Sequence, residues 1–213
     1  MAPPDETLSS SPVVNSVKGS VVKVSGVAPS CSRQIDGSGF VYATERVMTN
    51  AHVLAGVTDP VVLAEGEEYD ATPVFVDELL DVAVLAVPDL PQVPLDFAPA
   101  PAGTGDDSII MGYPGGGPFW VGAARVRERG EISGPDFRDT TKVVRDVYAL
   151  FGTVRAGNSG GPLFAPDGSV LGVVFASAID DPSTGYALTA QQVADAATTG
   201  SRAEAEVGTG SCE

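Results

Sequence analysis

The sequence predicts an all-β protein: two packed antiparallel β-barrels followed by one C-terminal α-helix. Three observations carry that prediction. Valine dominates the apolar residues and comes in short runs rather than long helical stripes. Its 25 glycines and 17 prolines punctuate those runs at intervals typical of small barrels. A proline-rich segment near the middle separates the runs into two sets. With 213 residues, 43% of them hydrophobic, the chain can hold one mid-sized domain or two small packed barrels.

The elements follow in order. Residues 1–12, rich in Pro, Ser and acidic side chains, read as a flexible arm. The first barrel is expected over 13–87. Its opening apolar stretch, 13–24, ends in a strand at 20–24, and strand-like runs recur at 39–43, 47–49, 61–64, 72–76 and 82–87. Over 88–105, Pro88, Pro91, Pro94, Pro99 and Pro101 remove backbone donors and stiffen the chain. That segment is predicted to link the barrels. The second barrel is expected over 106–188, with runs at 108–111, 120–126, 142–148, 162–164, 170–175 and 186–188. Thr189 and Gln192 have capping-box spacing before an alanine-rich run, so a helix is predicted from Thr189. Residues 200–213 read as a loose tail apart from Cys212. No repeat of fixed period is present.

Composition excludes several functions. A net charge of −16 argues against nucleic acid or anionic membrane as a partner, since both select a basic face. One histidine and two cysteines make no zinc-ligand cluster, and neither a metal nor a cofactor is expected. No apolar run approaches the roughly 18–20 residues of a membrane span. Cys31 and Cys212 stand far apart in the sequence, in polar Ser/Gly-rich settings. Buried thiols prefer apolar neighbours, so a disulfide formed in an oxidising compartment is favoured over two unrelated thiols.

The candidate chemistry rests on a count. His52 is the one histidine, and it precedes Gly157-Asn158-Ser159-Gly160-Gly161. A neutral imidazole is the usual base for activating a serine near pH 7. Gly157-x-Ser159-x-Gly161 also fits the nucleophile elbow of α/β-hydrolases, but there the histidine follows the serine. None follows Ser159 here. The order His, Asp, Ser remains, as in chymotrypsin-type proteases.

Three segments read together carry a resemblance. Thr49-Asn50-Ala51-His52-Val53-Leu54, Asp81-Val82-Ala83-Val84-Leu85 and Gly157-Asn158-Ser159-Gly160-Gly161-Pro162-Leu163 resemble the triad motifs of trypsin-like serine proteases. Gly37-Ser38-Gly39-Phe40 and Gly112-Tyr113-Pro114-Gly115-Gly116 resemble the bacterial high-temperature-requirement (Deg) branch. The resemblance covers residues 13–195 and implies a chymotrypsin-like pair of barrels. The cysteines and acidic arm make the chain similar, more narrowly, to the periplasmic protease domain of mycobacterial acid-resistance membrane proteases.

The resemblance implies a serine endopeptidase with His52, Asp81 and Ser159 as its triad. Asp77 and Glu78 compete with Asp81 for the acidic place, and their alternative reading is solvated turn charge. The backbone N–H groups of Gly157 and Ser159 are expected to receive the oxyanion. Asn158 stands where digestive trypsin-like enzymes carry an Asp that pairs with a new N-terminal amine, so activation by such a cut is not expected. The primary pocket is expected between Thr153, Val154, Arg155 and Ala156 on one side and Phe175, Ala176, Ser177 and Ala178 on the other, with Tyr186 nearby. No Asp stands in these walls, which favours a small or apolar substrate residue over Lys or Arg. Expected partners are protein or peptide substrates of the cell envelope, met by a monomeric extracytoplasmic domain in envelope stress or acid resistance. Its membrane anchor is expected in an N-terminal region outside this sequence. The rival reading is a catalytically idle pseudoprotease or peptide-binding chaperone on the same fold.

Overall fold

Strand alternation in the computed structural model, which describes residues 1–212, sorts the apolar side chains into three clusters. The first sheet comprises β1 (Val21–Ala28), β2 (Arg33–Ala43), β3 (Arg46–Thr49), β4 (Val61–Ala64), β5 (Glu67–Asp70), β6 (Thr72–Asp77) and β7 (Val82–Ala86), in the order β5-β4-β1-β2-β3-β7-β6. The second comprises β8 (Asp107–Gly112), β9 (Trp120–Pro135), β10 (Lys142–Phe151), β11 (Pro162–Phe164), β12 (Val170–Ser177) and β13 (Thr184–Thr189), closed into a barrel in the order β10-β13-β12-β11-β8-β9. All pairings between these strands are antiparallel.

The two-residue period of a strand decides which cluster each side chain enters. Along β7, Ala83 and Leu85 fill the first sheet while Val82 and Val84 face the second. Along β8, Ile110 fills the second barrel while Ile109 and Met111 face the first sheet. The inter-sheet cluster therefore takes one face of each half, with Phe40, Met48, Phe164, Val173 and Leu188 at its centre. It holds the two halves in fixed register, which matters because the candidate site draws on both.

The proline-rich segment joins the halves as a strap pinned to each. Leu95 donates its N–H to the Val41 carbonyl at 2.9 Å, and Ala98 donates to Val170 at 2.8 Å. Phe97 sets its ring edge-on to Phe40, with 6.0 Å between centroids. Proline keeps the strap from running as a full strand, and the strap touches β12 through a single parallel bridge between Phe97 and Val170.

Several segments differ from expectation. Residues 1–12 are not a free arm: Glu6–Ser10 forms a 3-10 turn capped by Asp5, and Leu8 packs on the inter-sheet cluster. Pro12 then opens α1 (Pro12–Val17), whose Val14 and Val17 are buried. Proline at the first helical position explains that start. β5 (Glu-Glu-Tyr-Asp) has no apolar alternation to reveal it, and its charge suits an edge strand. β9 continues through the polar run to Pro135, paired with β10 as an exposed ribbon. Thr189 closes β13 instead of opening the helix. Its hydroxyl accepts the Gln192 N–H at 3.0 Å, but Gln192 turns its own oxygen to the Asp146 N–H, so the box is half made. The helix is α3 (Ala194–Arg202).

The tail is also held. Val207 donates to the Pro73 carbonyl at 2.8 Å, and the Thr209 hydroxyl donates to Val57 at 2.8 Å. Cys212 is bonded to Cys31 with 6.2 Å between Cα atoms across 181 residues of sequence. Closing a loop of that length is worth about 5 kcal/mol in the chain-entropy model.

Phe40 is fully buried where strap, sheet and barrel meet. Phe40→Ala is expected to cost about 3–5 kcal/mol in guanidinium unfolding, against less than about 0.5 kcal/mol for Val93→Ala on the exposed strap. A Phe40→Ala loss below about 1 kcal/mol would show that the seam does not hold the halves together.

Candidate active site

The acidic side of the site begins with a tight turn between β6 and β7. Asp77 accepts the N–H groups of Leu79 and Leu80 at 3.0 and 2.9 Å, bending the chain back on itself. Glu78 leaves the turn and pairs with Arg138, its oxygens 2.8 and 3.1 Å from the guanidinium. Asp81 then takes a left-handed conformation, φ +62°, which short polar side chains tolerate better than most. That conformation carries its carboxylate inward, where the residue is only 3% exposed.

His52 stands in α2 (Ala51–Leu54), one short turn after β3. Asp81 grips it twice: Oδ1 accepts the backbone N–H at 2.9 Å, and Oδ2 lies 2.7 Å from the ring Nδ1. Asn50, fully buried, donates its amide to the Asp81 carbonyl at 2.7 Å and ties the two segments a third time. Nδ1 faces the carboxylate, which orients the ring. Of the three acidic candidates, Asp81 alone reaches the imidazole; Asp77 holds the turn and Glu78 pairs with Arg138.

The second barrel supplies Ser159. Its turn is braced internally: Asn158 donates its N–H to Arg155, Gly161 donates to Asn158, and the Asn158 side-chain oxygen accepts the Arg155 N–H, each at 2.9 Å. Gly157 (φ +92°) and Gly160 (φ +82°) lie where side chains are strained. A Cβ at Gly160 would also overlap the Ser38 carbonyl. Ser38 donates its N–H to the Ser159 carbonyl at 2.9 Å, so the two sheets meet at the serine itself. Among the described residues, no acceptor takes the N–H of Gly157 or of Ser159. Both residues, with His52, Ala156 and Cys212, line one cavity of about 330 Å³.

The expected pocket walls are brought together in part. Phe175 and Tyr186 face each other, 6.4 Å between rings, and Ala176 pairs with Tyr186 and Ser177 with Gly185 across β12 and β13. A Cβ on Gly185 would overlap Val154, so that wall packs directly on β13. Ala178 donates to the Thr184 carbonyl at 2.9 Å. Thr153 is exposed. Arg155 reaches away to stack over Trp120 at 4.8 Å. Ala156 faces the serine cavity instead.

Two neighbours of His52 escaped the sequence reading. Phe137, on the loop between β9 and β10, sets its ring 6.2 Å from the imidazole, and Arg138 stacks on it at 4.7 Å. Arg145 is buried under Phe175 and gives two hydrogen bonds to the Leu79 carbonyl, at 3.0 and 2.6 Å, and one to Pro135 at 3.1 Å. It thereby clamps the turn before Asp81 to the second barrel. The one available signal was an arginine inside the strand Val143-Val144-Arg145-Asp146-Val147. No group of acidic, His and Cys side chains among the described residues is arranged to hold a metal.

Residues 37–173 match the family model described as a trypsin-like peptidase domain. Over its whole length the chain is 50% identical to the serine protease Rv3671c of Mycobacterium tuberculosis, covering 53% of that protein. It is 35% identical over 151 residues to a probable periplasmic serine endoprotease DegP-like of Halomonas elongata, which spans 64% of this chain and 28% of that protein. The chain thus spans about half or less of these relatives. The crystal structure of the active form of the Rv3671c protease superposes with a TM-score of 0.97 at 48% identity, over 99% of this chain and 93% of that one.

Arg145→Leu keeps the apolar stem and removes the clamp. Hydrogen bonds from a charged donor are worth about 1.5–3 kcal/mol, so urea unfolding should show a loss in that range. An unchanged midpoint would show that the Leu79 turn holds itself.

Proposed function

This chain is a serine protease domain of the trypsin-like peptidase family, and on that premise we propose that it cleaves peptide bonds of extracytoplasmic proteins through His52, Asp81 and Ser159. The observation that carries the reading is the double hold of a buried carboxylate on the sole histidine, beside a cavity shared with Ser159. Ser159 Oγ attacks the scissile carbonyl carbon while its proton passes to His52 Nε2. Asp81 keeps the ring in the tautomer with its proton on Nδ1 and stabilises the imidazolium that forms. Negative charge on the former carbonyl oxygen is received by the N–H groups of Gly157 and Ser159, each such donor being worth about 2.7–4 kcal/mol in the transition state. The imidazolium then gives its proton to the leaving amine. Water, activated by the same ring, releases the acyl group from Ser159 and restores the hydroxyl.

Specificity in this reading comes from walls that include Val154, Phe175 and Tyr186, in which no acidic residue stands, and so favours small or apolar residues before the scissile bond. Cleavage takes place outside the cytoplasm, in keeping with the disulfide and with the periplasmic DegP-like relative. The resemblance to acid-resistance proteases supports a task in envelope stress, performed by a monomeric domain tethered through a membrane region outside this sequence.

A fluorophosphonate probe should label the protein once, without prior cleavage to a new Ile or Val terminus, and Ser159→Ala should abolish both labelling and peptide hydrolysis. Failure of the folded wild type to react would leave the fold a peptide binder. The pH response follows from the base. Imidazole takes up a proton in acid, and only its neutral form accepts the serine proton. kcat/KM should therefore fall in acid, approaching tenfold per unit of pH. A rate maximum near pH 4.5 would rule out His52 as the base.

A further inference from the structure

Resting on the reading of Ser159 as nucleophile, we propose that Ser38 and the turn 112–117 form a latch that fixes the Ala156–Gly157 peptide for oxyanion binding, with Ser38 as its positioning residue. A trans peptide points its C=O and N–H in opposite directions. The Ala156 carbonyl accepts the Gly115 N–H at 2.7 Å. The Gly157 N–H is therefore sent away from the turn, toward the cavity that Ala156, Gly157, Ser159 and His52 line. Rotation of that one peptide would replace a donor by a carbonyl oxygen and leave the triad without its electrostatic partner.

The following peptide is held from the other side. Ser38 is fully buried, and its hydroxyl donates to the Gly157 carbonyl at 2.6 Å while accepting the Tyr113 N–H at 2.8 Å. One hydroxyl thus binds the nucleophile turn and the latch turn together. The fit leaves no slack: a Cβ on Gly157 would sit 2.5 Å from the Gly115 nitrogen, and one on Gly112 would sit 2.5 Å from Ser38 Oγ. Gly115 and Gly116 adopt φ of +62° and +67°, which presents the Gly115 N–H inward and the Gly116 carbonyl outward. Lys23 takes that carbonyl at 2.8 Å and pairs with Asp36 at 3.2 Å, anchoring the turn to the first sheet.

This arrangement gives the Gly112-Tyr113-Pro114-Gly115-Gly116 motif a task. Asn158 braces the nucleophile turn only from within, through the Arg155 N–H. The ties on the Ala156 and Gly157 carbonyls come from Gly115 and Ser38, groups present without any chain cleavage.

Peptide aldehydes test the latch, because their adduct with the serine places an oxyanion in the hole, whereas the matching peptide alcohols fill the same subsites without one. Wild type should prefer the aldehyde strongly. In Ser38→Ala, kcat should fall roughly 10- to 100-fold with KM within about twofold, and aldehyde affinity should fall in parallel while alcohol affinity holds. Lys23→Met should show a smaller loss of the same pattern, restored by Lys23→Arg; that pair decides the matter should Ser38→Ala lose cooperative unfolding. Equal weakening of aldehyde and alcohol, or unchanged kcat in folded variants, would overturn the latch. A wild type with no aldehyde preference would instead sink the reading of Ser159 on which the latch rests.

Discussion

The site depends on one buried carboxylate. Asp81 is nearly inaccessible to water, and a buried carboxylate must be matched by donors close at hand. Here the donors are the backbone and ring of the same histidine, 2.9 and 2.7 Å away. The pairing therefore constrains His52 in both position and rotation. Around it, the fold places Asn50 on the Asp81 carbonyl, Arg145 on the Leu79 carbonyl and Arg138 on Glu78, so the segment 78–81 is tied at three of its residues. Two of those ties come from the other sheet.

Three cations of this acidic protein serve the seam on which the site draws. Only 12 Lys and Arg stand against 28 Asp and Glu. Arg138 and Arg145 bridge the β9–β10 ribbon to the turn before Asp81, and Lys23 bridges the first sheet to the turn 112–117. Surface ion pairs contribute little to stability. Guanidinium and ammonium groups that meet carbonyls at a seam act differently, since they fix one half of the molecule against the other where the proposed reaction draws on both. The inter-sheet cluster supplies the bulk attraction between the halves, and these polar contacts set its register.

Much of this was legible in the sequence. The two β units and the strap between them follow from alternation and proline content, and counting singles out one histidine and one Gly-flanked serine. The disulfide followed from two cysteines in polar surroundings. What the sequence hid was hidden for physical reasons. A one-turn α1 and a charged edge strand β5 carry no periodic apolar signal. The half-made cap at Thr189 lost Gln192 to a tertiary acceptor, which no local pattern records. Ser38, Arg145 and Phe137 matter through partners 60 to 120 residues away in the chain, such as Gly157 for Ser38. Only the folded strands bring such pairs together. Arg155, by contrast, stood inside a predicted pocket wall and instead stacks on Trp120.

Because His52 is the chain's one histidine, its ring proton can be followed without assignment ambiguity by proton NMR. A single exchange-protected resonance far downfield of the amide envelope is predicted for Nδ1–H, coupled to an imidazole nitrogen. It should vanish or move back upfield in Asp81→Asn while the backbone spectrum keeps its dispersion. Absence of that resonance in the wild type, or its survival unchanged in Asp81→Asn, would contradict the hold of Asp81 on His52 from which the rest of the site follows.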